Sequence, residues 1–195
     1  MKNFWILLLI VNTVFSLTAF GQEDPSKASE GDLSPKFASQ TKEVGIACGE
    51  FLPSQIPGMS EVMGLCGGHL GFKIAPKTFL EPQLLAGAGK AQKYLLGSLS
   101  FRGDFQIDEM VGSVYGGGDI HYATTPVFNG GVATGDSTNV YFGAHLGGAI
   151  WFDLTDNLYF RGDMQFLVNP GTSLFIGFGL VLRFAGGSDQ GAPAP

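Results

Sequence analysis

Residues 172–184 read Thr-Ser-Leu-Phe-Ile-Gly-Phe-Gly-Leu-Val-Leu-Arg-Phe, and their alternation decides the fold. Leu174, Ile176, Phe178, Leu180, Leu182 and Phe184 share one parity. Ser173, Gly177, Gly179 and Arg183 share the other, with Phe175 and Val181 as apolar exceptions. Side chains of a strand point alternately to its two faces, so one face here is continuously apolar and the other mixed. Lipid on one side and a more polar lumen on the other would select that pattern. Residues 158–168 repeat it, with Leu158, Phe160, Met164, Phe166 and Val168 against Tyr159, Arg161, Asp163 and Gln165. So do residues 95–108, where Leu95, Leu99, Phe101, Phe105 and Ile107 oppose Ser98, Ser100, Arg102, Asp104 and Gln106.

Working outward from these segments gives eight strands, near 42–52, 61–74, 79–89, 94–107, 112–124, 139–153, 158–168 and 172–184. The first, second and fifth are the least regular. Short turns join the second to the third at Ala75-Pro76-Lys77, the fourth to the fifth at 108–111, and the sixth to the seventh at Thr155-Asp156-Asn157. Pro53 to Ser60 and Thr125 to Thr138 read as longer loops. An even strand count with short turns at one end predicts an all-β, eight-stranded antiparallel transmembrane up-and-down barrel over 41–184. The short turns would be periplasmic and the long loops external.

The ends of the chain read differently. Lys2, the apolar run Phe4 to Val11 and the small residues of Ala19-Phe20-Gly21 form a secretory signal peptide over 1–21. Residues 22–40 are rich in Ser, Asp, Glu, Pro and Lys without an apolar period, which predicts a flexible periplasmic linker. Residues 185–195 read as a disordered tail. Charged residues make up only 14% of the 195, and the formal net charge of −6 supplies no basic footprint for nucleic acid.

Two stretches carry a family resemblance. Phe142-Gly-Ala-His-Leu-Gly-Gly-Ala-Ile-Trp-Phe-Asp-Leu-Thr-Asp-Asn-Leu-Tyr-Phe-Arg-Gly-Asp reads as strand, turn and returning strand. Gly177 to Phe184 reads as a closing strand that ends in Phe. Both resemble the OmpA-like family of small eight-stranded outer-membrane barrels. The resemblance implies an outer-membrane location, contact with outer-membrane lipid, and recognition of Phe184 by the barrel-assembly machinery. It departs from the family in that Phe184 is not the last residue and no peptidoglycan-binding domain follows.

The minority face carries the candidate site. Phe101-Arg-Gly-Asp-Phe-Gln-Ile and Phe160-Arg-Gly-Asp-Met-Gln-Phe are near copies, and in each the Arg and Asp share a face. Buried charges must be paired, so Arg102, Asp104, Arg161, Asp163, Glu81 and Arg183 are expected to form an ion-pair network. Eight strands leave a lumen that side chains fill, which argues against a wide pore. The alternative, a soluble lipocalin-like binding barrel, would turn the apolar face inward.

Chemistry finds little purchase. His69, His121 and His145, with Asp119 two residues from His121, are the candidates for catalysis, but an inward histidine near an aspartate is more often a satisfied lumen residue. Gly87-Ala-Gly-Lys90 lacks the spacing of a phosphate loop. The cysteines and histidines show no metal-ligand spacing, so no metal, cofactor or catalytic residue is expected. Cys48 and Cys66 lie symmetrically about residue 57 and would face each other in a hairpin, which predicts a disulfide in an oxidising compartment, with two free thiols as the alternative.

On the lipid-facing parity two strand pairs are unusually small: Gly64, Cys66, Gly68, Pro82, Ala86 and Ala88, and then Gly116, Gly118, Ala144 and Gly148. Small residues let membrane surfaces pack closely. Unlike patches in contact would build a heterologous ring. The expected function is a non-enzymatic structural or interaction barrel, forming a homo-oligomeric ring that encloses lipid. The alternative is a porin-like narrow or multi-subunit transport path.

Overall fold

The computed structural model describes residues 33, 35–54, 56, 59, 61–89, 92–107, 110–129 and 132–185. The expected signal peptide, residues 22–32 of the expected linker, and the tail beyond 185 lie outside them. A one-turn helix α1 (Pro35–Ser39) precedes eight strands: β1 (Gln40–Ser54), β2 (Met63–Ala75), β3 (Thr78–Ala88), β4 (Lys93–Ile107), β5 (Met110–Asn129), β6 (Val132–Asp153), β7 (Leu158–Val168) and β8 (Thr172–Ala185). Each strand pairs antiparallel with the next, and β1 pairs with β8, so the sheet closes without an open edge around the barrel wall.

The parity question has a plain answer. Val44, Leu70, Leu84, Leu99, Ile120, Leu146, Met164 and Ile176, one from each strand, are all exposed on the outside. Arg102, Glu81, Asp119 and Arg183 are buried inside. The lipocalin arrangement, apolar within and polar without, is therefore not the one this chain adopts. The lumen is nevertheless not polar throughout. Apolar clusters fill both ends, around Phe51, Leu65 and Phe175 at one and Trp151, Tyr159 and Val181 at the other.

Three segments differ from the sequence reading. The linker assignment fails at its end: Pro35 opens α1, a position that suits its fixed φ, and Gln40 already belongs to β1. The expected loop Thr125 to Thr138 is mostly ladder, because β5 and β6 stay paired out to Asn129 and Val132. Asn129-Gly130-Gly131 between Val127 and Val132 was the available signal for a tight hairpin. The loop from Pro53 begins inside β1, and its Ile56 and Met59 are buried in the mouth of the barrel instead of facing outward.

Cys48 and Cys66 are register partners and are joined by a disulfide, on the outward face of β1 and β2. Beside them the β2–β3 ladder skips Leu70 and Gly71. Pro82 stands there on β3 and offers no N–H to the ladder.

The glycines divide by face. Inward ones are sockets: a Cβ on Gly45 would lie 2.3 Å from the His69 ring, on Gly71 2.2 Å from Glu43, and on Gly147 2.3 Å from Tyr115. Outward ones such as Gly103 and Gly162 would meet nothing. A Cβ on Gly117 would lie 1.9 Å from the Leu99 carbonyl oxygen, where only backbone can yield. Gly117→Ala should therefore cost about 1–3 kcal/mol or more in denaturant unfolding, and Gly103→Ala should stay within about 0.5 kcal/mol of the unaltered chain. Equal midpoints for the two variants would contradict the packing described.

Candidate functional site in the lumen

The barrel interior is built in layers, and each follows from which strand residues share a height and a parity. At the short-turn end α1 acts as a cap. Phe37 is 2% exposed, with its ring edge-on to Tyr159 at 5.4 Å and to Trp151 at 5.9 Å. Lys36 Nζ donates to Asp153 Oδ2 at 3.1 Å and to the Thr155 carbonyl at 3.2 Å, which pins the helix to the β6–β7 turn. The bond to Asp153 holds the Lys36 ammonium above its usual range. Gln40 donates to the Asp156 carbonyl and Lys73 to that of Ala38, fixing the cap from two further sides.

Above the cap lies an ionic belt centred on Arg102, which is wholly buried. Its Nε donates to Asp104 Oδ1 at 2.8 Å, its Nη2 to Glu43 Oε2 at 2.9 Å, and its Nη1 to both Glu43 and Glu81. Arg161 bridges Glu81 and Asp163, at 2.7 Å to each. Arg183 Nε stands 3.3 Å from Glu43 Oε2, and its guanidinium lies 3.6 Å from the centroid of the Phe37 ring. Among the described residues the nitrogens of Arg183 find no hydrogen-bond acceptor, so ion pairing and the aromatic face beneath it replace those bonds. Ser113 donates to Asp104 at 2.7 Å and accepts from Trp151 Nε1 at 2.7 Å, while the Tyr115 hydroxyl donates to Asp163.

All six residues expected in the network thus sit in one belt. The sequence reading missed the seventh, Glu43, which binds two of the three arginines. Its signal was present: Glu43 shares a parity with Gly45 and Ala47, opposite Val44 and Ile46. The polar ends of β1, Lys42 and Glu50 on the outward parity, obscured that alternation.

The next layer holds the histidines. His145 Nδ1 lies 2.6 Å from Asp119 Oδ1, and Ser100 Oγ lies 2.8 Å from His145 Nε2. His121 Nδ1 meets the Tyr94 hydroxyl. The order Ser, His, Asp is that of an activated nucleophile, but Ser100 is 2% exposed and the apolar cluster of Leu96, Leu65 and Phe51 fills the lumen beyond. Ser100 and Asp119 thus hold the buried His145 ring from its two nitrogens. His69 stands apart from this layer. It lies beside Glu43 and Glu81 on the two neighbouring strands, and the fold gathers these three from β1, β2 and β3 although their sequence spacing gives no hint of it.

The fold has solved counterparts. The N-terminal β-barrel domain of Pseudomonas aeruginosa OprF matches with a TM-score of 0.58 at 15% identity, over 74% of this chain and 98% of that one. Neisserial surface protein A matches with a TM-score of 0.53 at 12% identity, over 80% and 100%. Ail, the attachment invasion locus protein of Yersinia pestis, matches with a TM-score of 0.52 at 10% identity, over 74% and 97%. These are small eight-stranded outer-membrane barrels, and this chain shares their fold. No family model and no curated protein matches the sequence.

Breaking the belt should be expensive, because truncating one partner leaves the others charged and dry. Arg102→Ala strands Glu43, Glu81 and Asp104 together, and is expected to lower unfolding free energy by about 3–5 kcal/mol. Arg161→Ala, which removes fewer bonds, should cost less. A denaturant midpoint unchanged by Arg102→Ala would show that the belt contributes nothing to stability.

Proposed function

We propose that this chain is a non-enzymatic barrel of the bacterial outer membrane, acting as a structural and interaction scaffold. One observation carries the reading: the polarity of the barrel is inverted. On the outward parity of the paired wall the charged residues are Lys42, Glu50, Lys93 and Asp136, all near strand ends, and between them run Val, Ile, Leu, Phe, Met and small residues. Such a surface is stable in hydrocarbon and insoluble in water. The shortest strands, β3 and β7, have 11 residues each, enough to cross a bilayer when tilted. In this orientation the short turns and α1 face the periplasm, and the terminal Phe184 is the residue offered to the barrel-assembly machinery.

The filled lumen supports a scaffold over a porin. Phe37, the ionic belt, the histidine layer and the apolar plug follow one another along the barrel interior, which disfavours an ion path through one protomer. The surface left for partners is external: the β5–β6 ribbon rises past the last pairings of β4 at Lys93 and of β7 at Val168. The purified chain is expected to fractionate with outer membranes and to migrate faster unheated than boiled on gels. It should give no unitary conductance in planar bilayers. Recovery as a water-soluble protein would overturn the membrane reading, and a reproducible single-channel step would favour the porin alternative.

Self-association completes the proposal. Gly64, Gly68, Ala86 and Ala88 lie on the outside of β2 and β3, and Gly116, Gly118, Ala144 and Gly148 on that of β5 and β6. Packing of the barrel itself does not demand two of them: a Cβ would find only contacts of 4.0 Å at Gly64 and 3.9 Å at Gly118, against 3.1–3.3 Å to backbone carbonyls at Gly68, Gly116 and Gly148. Over Gly68 a groove of about 440 Å³ opens between walls of Val44, Ile46, Leu70, Pro82 and Leu84. Small residues and a groove on one side, and a second small patch elsewhere, suit heterologous contact between copies, in a ring whose apolar inner wall would enclose lipid. Gly68→Trp and Gly116→Trp should each abolish the oligomer in detergent-corrected light scattering while leaving the heat-modifiable barrel. A monomer across several mild detergents in the unaltered protein would exclude the ring.

A further inference from the structure

We propose that the lumen holds one divalent cation of the zinc class, bound by Glu43, His69 and Glu81. The first ground is geometry. These residues come from β1, β2 and β3, and one ligand atom of each lies within 4.8 Å of the others. His69 is 4% exposed, and neither of its ring nitrogens has a hydrogen-bond partner among the described residues. A buried imidazole without a partner needs an explanation. Its Nε2 stands 3.8 Å from Glu43 Oε1, too far for a hydrogen bond. An ion bonded to both at about 2.0–2.2 Å can bridge such a gap. The ring is held in place by the socket at Gly45, where any Cβ would strike it.

The second ground is charge. The buried carboxylates are Glu43, Glu81, Asp104, Asp119 and Asp163, and the buried guanidiniums are Arg102, Arg161 and Arg183. With neutral histidines the described lumen residues therefore carry two surplus negative charges, one in the belt and one on Asp119 in the histidine layer, and uncompensated charge in a dry interior is costly. A divalent ion at Glu43, His69 and Glu81 offsets the surplus of the belt, and it binds His69 in the neutral form that serves as a ligand.

Arg102 and Arg161 do not pre-empt the site. An ionised carboxylate offers about four lone-pair directions; Arg102 donates two bonds to Glu43, and Arg102 and Arg161 donate one each to Glu81 Oε2, so part of each carboxylate's capacity is left. With an ion in place they become the outer partners that orient its ligands. One imidazole with carboxylates suits zinc, manganese or ferrous iron more than calcium or magnesium. Because side chains fill the lumen at both ends, the ion would enter while the barrel folds and exchange slowly afterwards.

The test uses the full chain folded in detergent with either zinc chloride or EDTA, followed by removal of free metal and elemental analysis. The zinc-folded protein should retain about one zinc per chain. His69→Ala should retain at least about tenfold less, whereas His121→Ala, one layer away, should keep it. X-ray absorption at the zinc edge of the unaltered protein should report one imidazole with oxygen ligands, and this holds even if His69→Ala does not fold. Retention below about a tenth of an ion per chain, equal retention by His69→Ala, or an all-oxygen shell without imidazole would each overturn the site.

Discussion

Everything in this barrel depends on the arginine–carboxylate belt centred on Arg102. A guanidinium with no solvent exposure can persist only if carboxylates surround it, and Glu43, Glu81 and Asp104 do so from β1, β3 and β4. Arg161 and Arg183 extend the belt to β7 and β8. Strands far apart in the chain are thereby tied across the interior, not only through their neighbours in the ladder. The belt also fixes register. A slip of one residue on β4 would carry Arg102 and Asp104 to the outside and Phe101 and Phe105 to the inside, an exchange penalised on both faces.

That constraint explains the unusual use of glycine. Long polar side chains and aromatic rings must be placed inside a ring of eight strands, where little volume is available. Tyr115 lies over Gly147, His69 over Gly45 and Glu43 over Gly71. Each large lumen residue is thus matched to an empty position on an adjacent strand. The high glycine content, 30 residues, is in good part the complement of the side chains that fill the lumen. The outward glycines divide: a Cβ on Gly68, Gly116 or Gly148 would crowd a backbone carbonyl of the neighbouring strand, whereas one on Gly103 or Gly162 would meet nothing.

Much of this was legible in the residues. Alternation in 158–168 and 172–184 gave strand identity and eight such segments gave the count, because a continuous apolar parity on a strand has few other causes; which face turned inward rested on the charges of the minority parity. The two Arg-Gly-Asp copies located the belt, since two such dipoles on an inward face cannot remain unpaired. Glu43 escaped because β1 carries charges on both parities near its ends. The β5–β6 ribbon escaped because Thr, Asn and Asp in 125–138 resemble a loop in composition while pairing as strands. Phe37 escaped for a different reason: its segment has no period, and its burial comes from tertiary contact with Trp151, Tyr159 and Arg183. The gathering of Glu43, His69 and Glu81 depends on barrel height, which linear spacing does not encode.

The layering has a consequence for where function can reside. A charged belt in the middle of a bilayer would draw water if either mouth were open, and hydration would weaken every pair in it by raising the local dielectric. Apolar seals on both sides are thus part of the same device: Phe37 and Trp151 below, Phe51, Ile56 and Met59 above. A barrel closed in this way behaves as a solid wall with a hydrogen-bonded core. The proposed scaffold role draws on the same closure: side chains that fill the interior also stiffen the wall, and a rigid outer surface loses less entropy when it packs against a partner.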